Sequence, residues 1–357
     1  MDHLASCLAL SLAVVFASCM VAYSAERPAV IAHRGASGYL PEHTLAAKAM
    51  AYAMGADYLE QDVVLTRDDC PIVLHDVQLD TVTDVADRFP SRARDDGRFY
   101  AIDFTLEEIK RLRVSERMDL RSRAPVFPSR FPAGKSDFRI PTLEEEIELV
   151  QGLNTSTGQN VGIYPEIKSP AWHRRQGKDI SSIVLEVLRR YGYQGRDCRC
   201  YLQCFDAAEL KRLRFELKTQ LKLVQLIGEN AWKETATDYE AIRTADGLRE
   251  VAKYAEAIGP SISHVAADTA EPPGYAITPL VRDAHAAGLA VHPYTFRADA
   301  LPGYAASFEQ LLRIFCDEVG VDGVFSDFPD RTASCFRAAD KPRQETDASR
   351  PGSPRSP

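Results

Sequence analysis

Four short segments hold the side chains able to do chemistry: His33-Arg34-Gly35, Glu60-Gln61-Asp62, Leu74-His75-Asp76 and Pro165-Glu166-Ile167-Lys168. Glu60 and Asp62 are two residues apart, so on one strand they point the same way. Two carboxylates that close repel unless a cation or a proton lies between them. With Glu166 they form an oxygen-rich set suited to a hard divalent cation. Glu60-x-Asp62 alone reads more readily as a solvated strand end; Glu166 on the next barrel strand reverses that balance. Histidine as a residue type titrates near neutral pH, which makes His33 and His75 candidates for moving protons. Arg34 and Lys168 are superfluous for a metal but useful for a phosphate, Arg34 through its two-pronged donor geometry. The competing reading is that both only neutralise the acids. Gln203, Phe205 and Tyr294 end later strands and are candidates to line a substrate cleft; plain packing at a barrel top competes with that role. His43, His173, His264, His285 and His292 read as structural or surface residues.

Apolar runs of strand length alternate with helical periodicity along the chain. Strands are expected to start near residues 29, 57, 161, 199, 222, 261, 289 and 323, with the sixth over 261–266. The run at 71–75 follows the second strand too closely for a crossover helix, so the two must form an antiparallel hairpin. Eight remaining strands alternating with helices predict an α/β fold, a (β/α)8 TIM barrel, which gathers strand-end acids on one face. Residues 77–140 are polar and irregular. They read as a segment inserted after the second strand, over the active face, with one helix at about 105–114 capped by Thr105.

Residues 8–22 form an apolar stretch broken only by serines, followed by Ala22-Tyr23-Ser24. This reads as a secretory signal over 1–24, with soluble export as the expected outcome. Ala17-Ser18-Cys19 offers a less favoured lipid-anchor reading through Cys19. The barrel domain is expected over 25–338 and a disordered tail over 339–357, where prolines replace apolar periodicity. The 45% hydrophobic fraction is enough for a globular core, and the net charge of −8 argues against nucleic acid or an anionic membrane as partner. The apolar stretch is short for a membrane span. A homodimer is compatible with the chain. Six cysteines follow the signal region; Cys198, Cys200 and Cys204 share strand parity and read as core filling, ahead of a disulfide or a zinc site.

The four segments, in this order, resemble the glycerophosphodiester phosphodiesterase family. Ser37-Gly38-Tyr39-Leu40-Pro41-Glu42-His43-Thr44, Tyr201-Leu202-Gln203-Cys204-Phe205-Asp206 and Val291-His292-Pro293-Tyr294-Thr295 carry a closer similarity to its periplasmic bacterial branch. The resemblance covers about residues 27–338. It implies Ca²⁺, with Mg²⁺ or another divalent ion as alternatives, on Glu60, Asp62 and Glu166. It implies His33 and His75 as general acid and base, and Arg34 and Lys168 as phosphate ligands. Its substrate class is a small glycerophosphodiester such as glycerophosphocholine, cleaved to sn-glycerol 3-phosphate and an alcohol. Which histidine is acid and which base stays open at this point. So does the choice between direct water attack and a cyclic phosphate. A glycosidase would use Glu60 and Glu166 as its carboxylate pair, yet Arg34 and Lys168 would hold both ionised. A lipase-D-like enzyme would need an apolar membrane-facing surface, and none is evident. A surface binding protein would have no need to keep the whole set.

Overall fold

The computed structural model describes residues 27–269 and 274–339. The expected signal segment with Cys19, and the tail from residue 340 onward, lie outside the described residues.

Eight parallel strands form the barrel: β1 (Ala29–Ala32), β2 (Tyr58–Leu65), β3 (Gly162–Ile167), β4 (Tyr201–Cys204), β5 (Lys222–Ile227), β6 (Ala257–Pro260), β7 (Ala290–Val291) and β8 (Gly323–Ser326). From β1 to β7 each strand pairs with its sequence neighbour, and β1 pairs with β8 along four residues. Between β7 and β8 the ring closes through Asp322 N to Val291 O (3.0 Å) and Phe325 N to Pro293 O (3.0 Å). A parallel bridge joins Phe296 to Ser326.

Strand parity divides the side chains. Val30, Ala32, Leu59, Val63, Ile163, Leu202 and Leu223 face the surrounding helices and form the main core. The alternate positions Ile31, Tyr58, Tyr164, Val224, Ala257 and Phe325 form a separate cluster that fills the lower barrel. One or two steps further along the same parity come Glu60, Asp62, Glu166, Lys168 and Gln203. The period that packs Tyr58 and Tyr164 inward therefore aims the acids above them into the barrel mouth.

The expected hairpin is present: Pro71–Val73 runs antiparallel to β2, with Val63 opposite Val73. Residues 77–140 then pack Leu79, Val82, Val85, Phe99, Phe104 and Ile109 against Val64 and Ile72 of that hairpin, giving a small satellite core.

Two expected elements need correction. The sixth strand is Ala257–Pro260, and the segment read as strand at 261–266 begins with a short helix, Ile262–Val265. Ser261 caps that helix by accepting from Ser263 N, and Gly259 makes strand passage possible because a Cβ there would lie 2.6 Å from Leu226. The helix expected over 105–114 is confined to Leu106–Ile109, although its capping box between Thr105 and Glu108 is complete. The last barrel helix is α-helical over Phe308–Arg313 and continues as a π-helix over Ile314–Val319. All six cysteines among the described residues are free thiols.

Candidate active site

A cavity of about 550 Å³ opens at the C-terminal ends of the strands. His33, Arg34, Glu60, Asp62, His75, Glu166, Lys168, Gln203, Phe205 and Tyr294 all line it. The structure thus brings every residue singled out in the sequence to one place. The register explains it: Asp62 pairs with Glu166, and Glu166 with Gln203, across adjacent strands.

Glu60, Asp62 and Glu166 each offer a carboxylate oxygen within 4.8 Å of the others. All three are at most 4% exposed. Burial pushes Glu60 and Glu166 above the usual carboxylate range, with Asp62 adding to both. Burial pushes Asp62 up too, but Lys168, His75 and His43 outweigh it and hold Asp62 well below that range. Asp62 Oδ1 is buried without a hydrogen bond. A buried carboxylate oxygen without a hydrogen bond, crowded by two further carboxylates and met only by Lys168 at 3.8 Å, belongs to a set that fits a hard divalent cation.

The two histidines share one design. His33 Nδ1 meets Asp327 Oδ1 at 2.6 Å, and His75 Nδ1 meets Asp76 Oδ1 at 2.6 Å. A carboxylate can only accept, so each Nδ1 carries the hydrogen and each Nε2 is left for substrate. His33 Nε2 lies 4.0 Å from Glu60. Burial, with Arg34 and Lys168 nearby, pulls the His75 imidazole down to about 4, which keeps it neutral.

Arg34 and Lys168 are held in place by acids. Arg34 Nη1 donates to both Glu42 oxygens at 3.0 Å, while its Nε stays without a hydrogen bond, 3.7 Å from Asp62. The turn that carries it needs glycine next in the chain. Gly35 has φ +86°, and a Cβ there would lie 2.9 Å from the Ala47 carbonyl. Lys168 bonds Glu166 at 2.9 Å. Gln203 Nε2 donates to Glu60 Oε1 at 3.1 Å. The Tyr294 hydroxyl donates to Ile227 O at 2.8 Å.

Several functional residues escaped sequence reasoning. Asp327 follows the last strand, and Arg130, deep in the inserted segment, clamps it at 2.7 Å while also binding Asp299. Arg297 adds a second donor to the same Asp327 oxygen at 2.9 Å. His43, read from sequence as structural or surface, holds Asp62 Oδ2 at 2.7 Å. Behind it lies Lys48, fully buried, which donates to the Glu60 carbonyl and pairs with Glu146 at 3.1 Å. An acid at the end of an expected strand was the available signal for Asp327. Arg130 and Lys48 had none, because their partners are remote in sequence.

A parallel barrel with a carboxylate triad and two carboxylate-oriented histidines at the C-terminal mouth has the layout of a barrel enzyme. A model of the family described as "Glycerophosphoryl diester phosphodiesterase family" matches residues 33–331. The chain is 48% identical over 318 residues to a glycerophosphodiester phosphodiesterase of Haemophilus influenzae, covering 84% of this chain and 87% of that protein. It is 39% identical over 333 residues to one of Treponema pallidum, covering 88% and 93%. A candidate glycerophosphoryl diester phosphodiesterase from Silicibacter pomeroyi, solved by crystallography, shares 26% identity at a TM-score of 0.64, over 88% of this chain and 94% of that one. An Oleispira antarctica phosphodiesterase, solved with the product sn-glycerol-3-phosphate, shares the fold at 22% identity and a TM-score of 0.59, over 87% and 97%. The chain belongs to the glycerophosphoryl diester phosphodiesterase family and is an enzyme of that class.

Proposed function

We propose that the protein hydrolyses small glycerophosphodiesters, such as glycerophosphocholine and glycerophosphoethanolamine, to sn-glycerol 3-phosphate and the free alcohol in a metal-dependent reaction. The observation that carries this reading is the buried triad of Glu60, Asp62 and Glu166, flanked in one cavity by two carboxylate-oriented histidines. The triad would hold a hard divalent ion, Ca²⁺ as the family resemblance implies, with Mg²⁺ as the alternative. When bound, such an ion polarises the phosphoryl oxygens.

The chain's own groups do the rest. Arg34 and Lys168 face the same cavity and stabilise the charge that develops on the phosphoryl oxygens. The Nε2 atoms of His33 and His75 handle protons: one activates the attacking hydroxyl, the other protonates the leaving alkoxide. Gln203 fixes Glu60, and Phe205 and Tyr294 form the wall of the cleft. We place the enzyme in the periplasm, on the strength of the apolar stretch at residues 8–22 and the small residues that follow. N-terminal sequencing of the exported protein tests that placement. Among the described residues, no helix is long and apolar enough to cross a membrane.

The test is release of glycerol 3-phosphate from glycerophosphocholine by the purified protein, with Ca²⁺ and again with EDTA. Release that requires the ion supports the reading. No release from any glycerophosphodiester by folded, Ca²⁺-loaded protein refutes it.

A further inference from the structure

The cavity extends past the triad to a wall of rings and one acid that the phosphodiester chemistry does not use. Phe205 stands at its centre. Trp232 lies 6.1 Å from it at 70°, and Tyr294 6.0 Å from it at 83°, by ring centroids. Three near-perpendicular rings make a corner rather than a stack. Tyr294 is fixed by its bond to Ile227 O. Trp232 is 51% exposed, an unusual position for so large an apolar surface. Its seat is reserved by Gly228, where a Cβ would come within 2.6 Å of the indole. Glu234, two residues on, lines the same cavity and makes neither a hydrogen bond nor a salt bridge among the described residues. Its charge acts on Lys168 and Glu166, in keeping with its place on the wall of their cavity.

Ring faces carry partial negative charge and attract cations, most strongly when the cation is poorly hydrated, as a quaternary ammonium is. Phe205 already has Lys168 Nζ 5.7 Å from its centroid, so one end of this wall accepts a positive group. Lys168 itself is matched by Glu166 and Asp62, and does not oppose a second cation nearer Glu234.

We propose that Phe205, Trp232, Tyr294 and Glu234 form a head-group subsite selective for a cationic alcohol, an alkylammonium on a short carbon arm. This rests on the hydrolytic reading above and specifies its substrate. The phosphate occupies the triad end beside Arg34 and Lys168, and the ammonium reaches the rings and Glu234. A neutral head group of the same length gains nothing from them.

The experiment compares kcat/KM for glycerophosphocholine, for its uncharged 3,3-dimethylbutyl isostere and for glycerophosphoglycerol. It uses the wild type, Trp232→Ala and Glu234→Gln, all loaded with Ca²⁺. The wild type should favour the cationic diester over the isostere by about fivefold or more. Both variants should lose most of that preference while the two neutral diesters change by less than about twofold. Both side chains sit at the rim, so folding should survive their replacement. A wild type that treats all three alike, or variants that slow all three equally, overturns the subsite and leaves the hydrolytic reading standing. No turnover of any diester overturns both.

Discussion

Asp327→Asn is the most informative perturbation of the proton-handling pair. Asp327 is 1% exposed and divides its oxygens between two tasks: Oδ1 accepts from His33 at 2.6 Å, and Oδ2 accepts from Arg130 and Arg297 at 2.7 and 2.9 Å. Burial alone would raise its carboxyl, but His33, Arg297 and Arg130 hold it far below the carboxylate range, so the group is an anion. Asparagine keeps the shape and has only one acceptor. Guanidinium groups can only donate, so two of them claim the amide oxygen. The amide NH₂ then faces His33 Nδ1, which must become the acceptor. The neutral imidazole flips tautomer and its hydrogen moves to Nε2, the atom turned toward substrate. Loss of one correctly poised acid or base costs about a hundred- to ten-thousandfold in rate. That is roughly 3–5 kcal/mol of transition-state stabilisation, at about 1.4 kcal/mol per tenfold. Asp327 is outside the triad, so Ca²⁺ affinity should hold. The assay pairs kcat for glycerol 3-phosphate release with calorimetric Ca²⁺ titration. Turnover within threefold of wild type, in a folded variant that binds Ca²⁺ normally, would refute the tautomer argument.

Four further outcomes are expected. Glu60→Gln should abolish both activity and the rise in Tm on adding Ca²⁺; an unchanged rise removes Glu60 from the metal site. His75→Ala should cut turnover at least a hundredfold while Ca²⁺ affinity stays close to wild type by calorimetry; retained turnover removes it from the acid–base pair. Lys48→Met leaves the Glu146 carboxylate buried without its partner and should cost about 3 kcal/mol at pH 8, with Lys48→Met/Glu146→Leu recovering most of it; denaturant melts of the two variants decide this. Burial raises the Glu146 carboxyl to about 7 from 4.5, against the pull of Lys48. Between those values the native state keeps a proton that the unfolded chain has lost, so stability falls as pH rises. Glu146→Gln should remove that contribution, and equal pH slopes of Tm in the two proteins would contradict it.

Strand-end acids were legible because parity and spacing are local: Glu60 and Asp62 share a strand, and Glu166 recurs on the next. The hairpin at 71–75 was legible from loop length alone. The sixth strand was misplaced because Ile262-Ser263-His264-Val265 alternates like a strand while Ser261 caps a helix, and Gly259-Pro260 looks like punctuation yet lies within β6. His43 and Lys48 escaped because a helix-end histidine and an amphipathic lysine look the same whether they face solvent or Asp62 and Glu146. Arg130 escaped because its partners Asp299 and Asp327 stand far along the chain, and only closure of the ring brings them near. Trp232 and Glu234 gave no periodic signal in a loop.

That closure also sets an order in time. Synthesis runs from residue 1 upward, and every metal-ligand candidate, both histidines, Arg34 and Lys168 have been added before the midpoint of the 357-residue chain. The acid that orients His33 comes only at position 327, directly after the strand that also gives β1 its second neighbour. A nascent or prematurely ended chain therefore holds the metal-ligand candidates without the carboxylate that orients His33, and the complete site is the last property the polypeptide acquires. Catalytic competence doubles as a report that the ring has been completed.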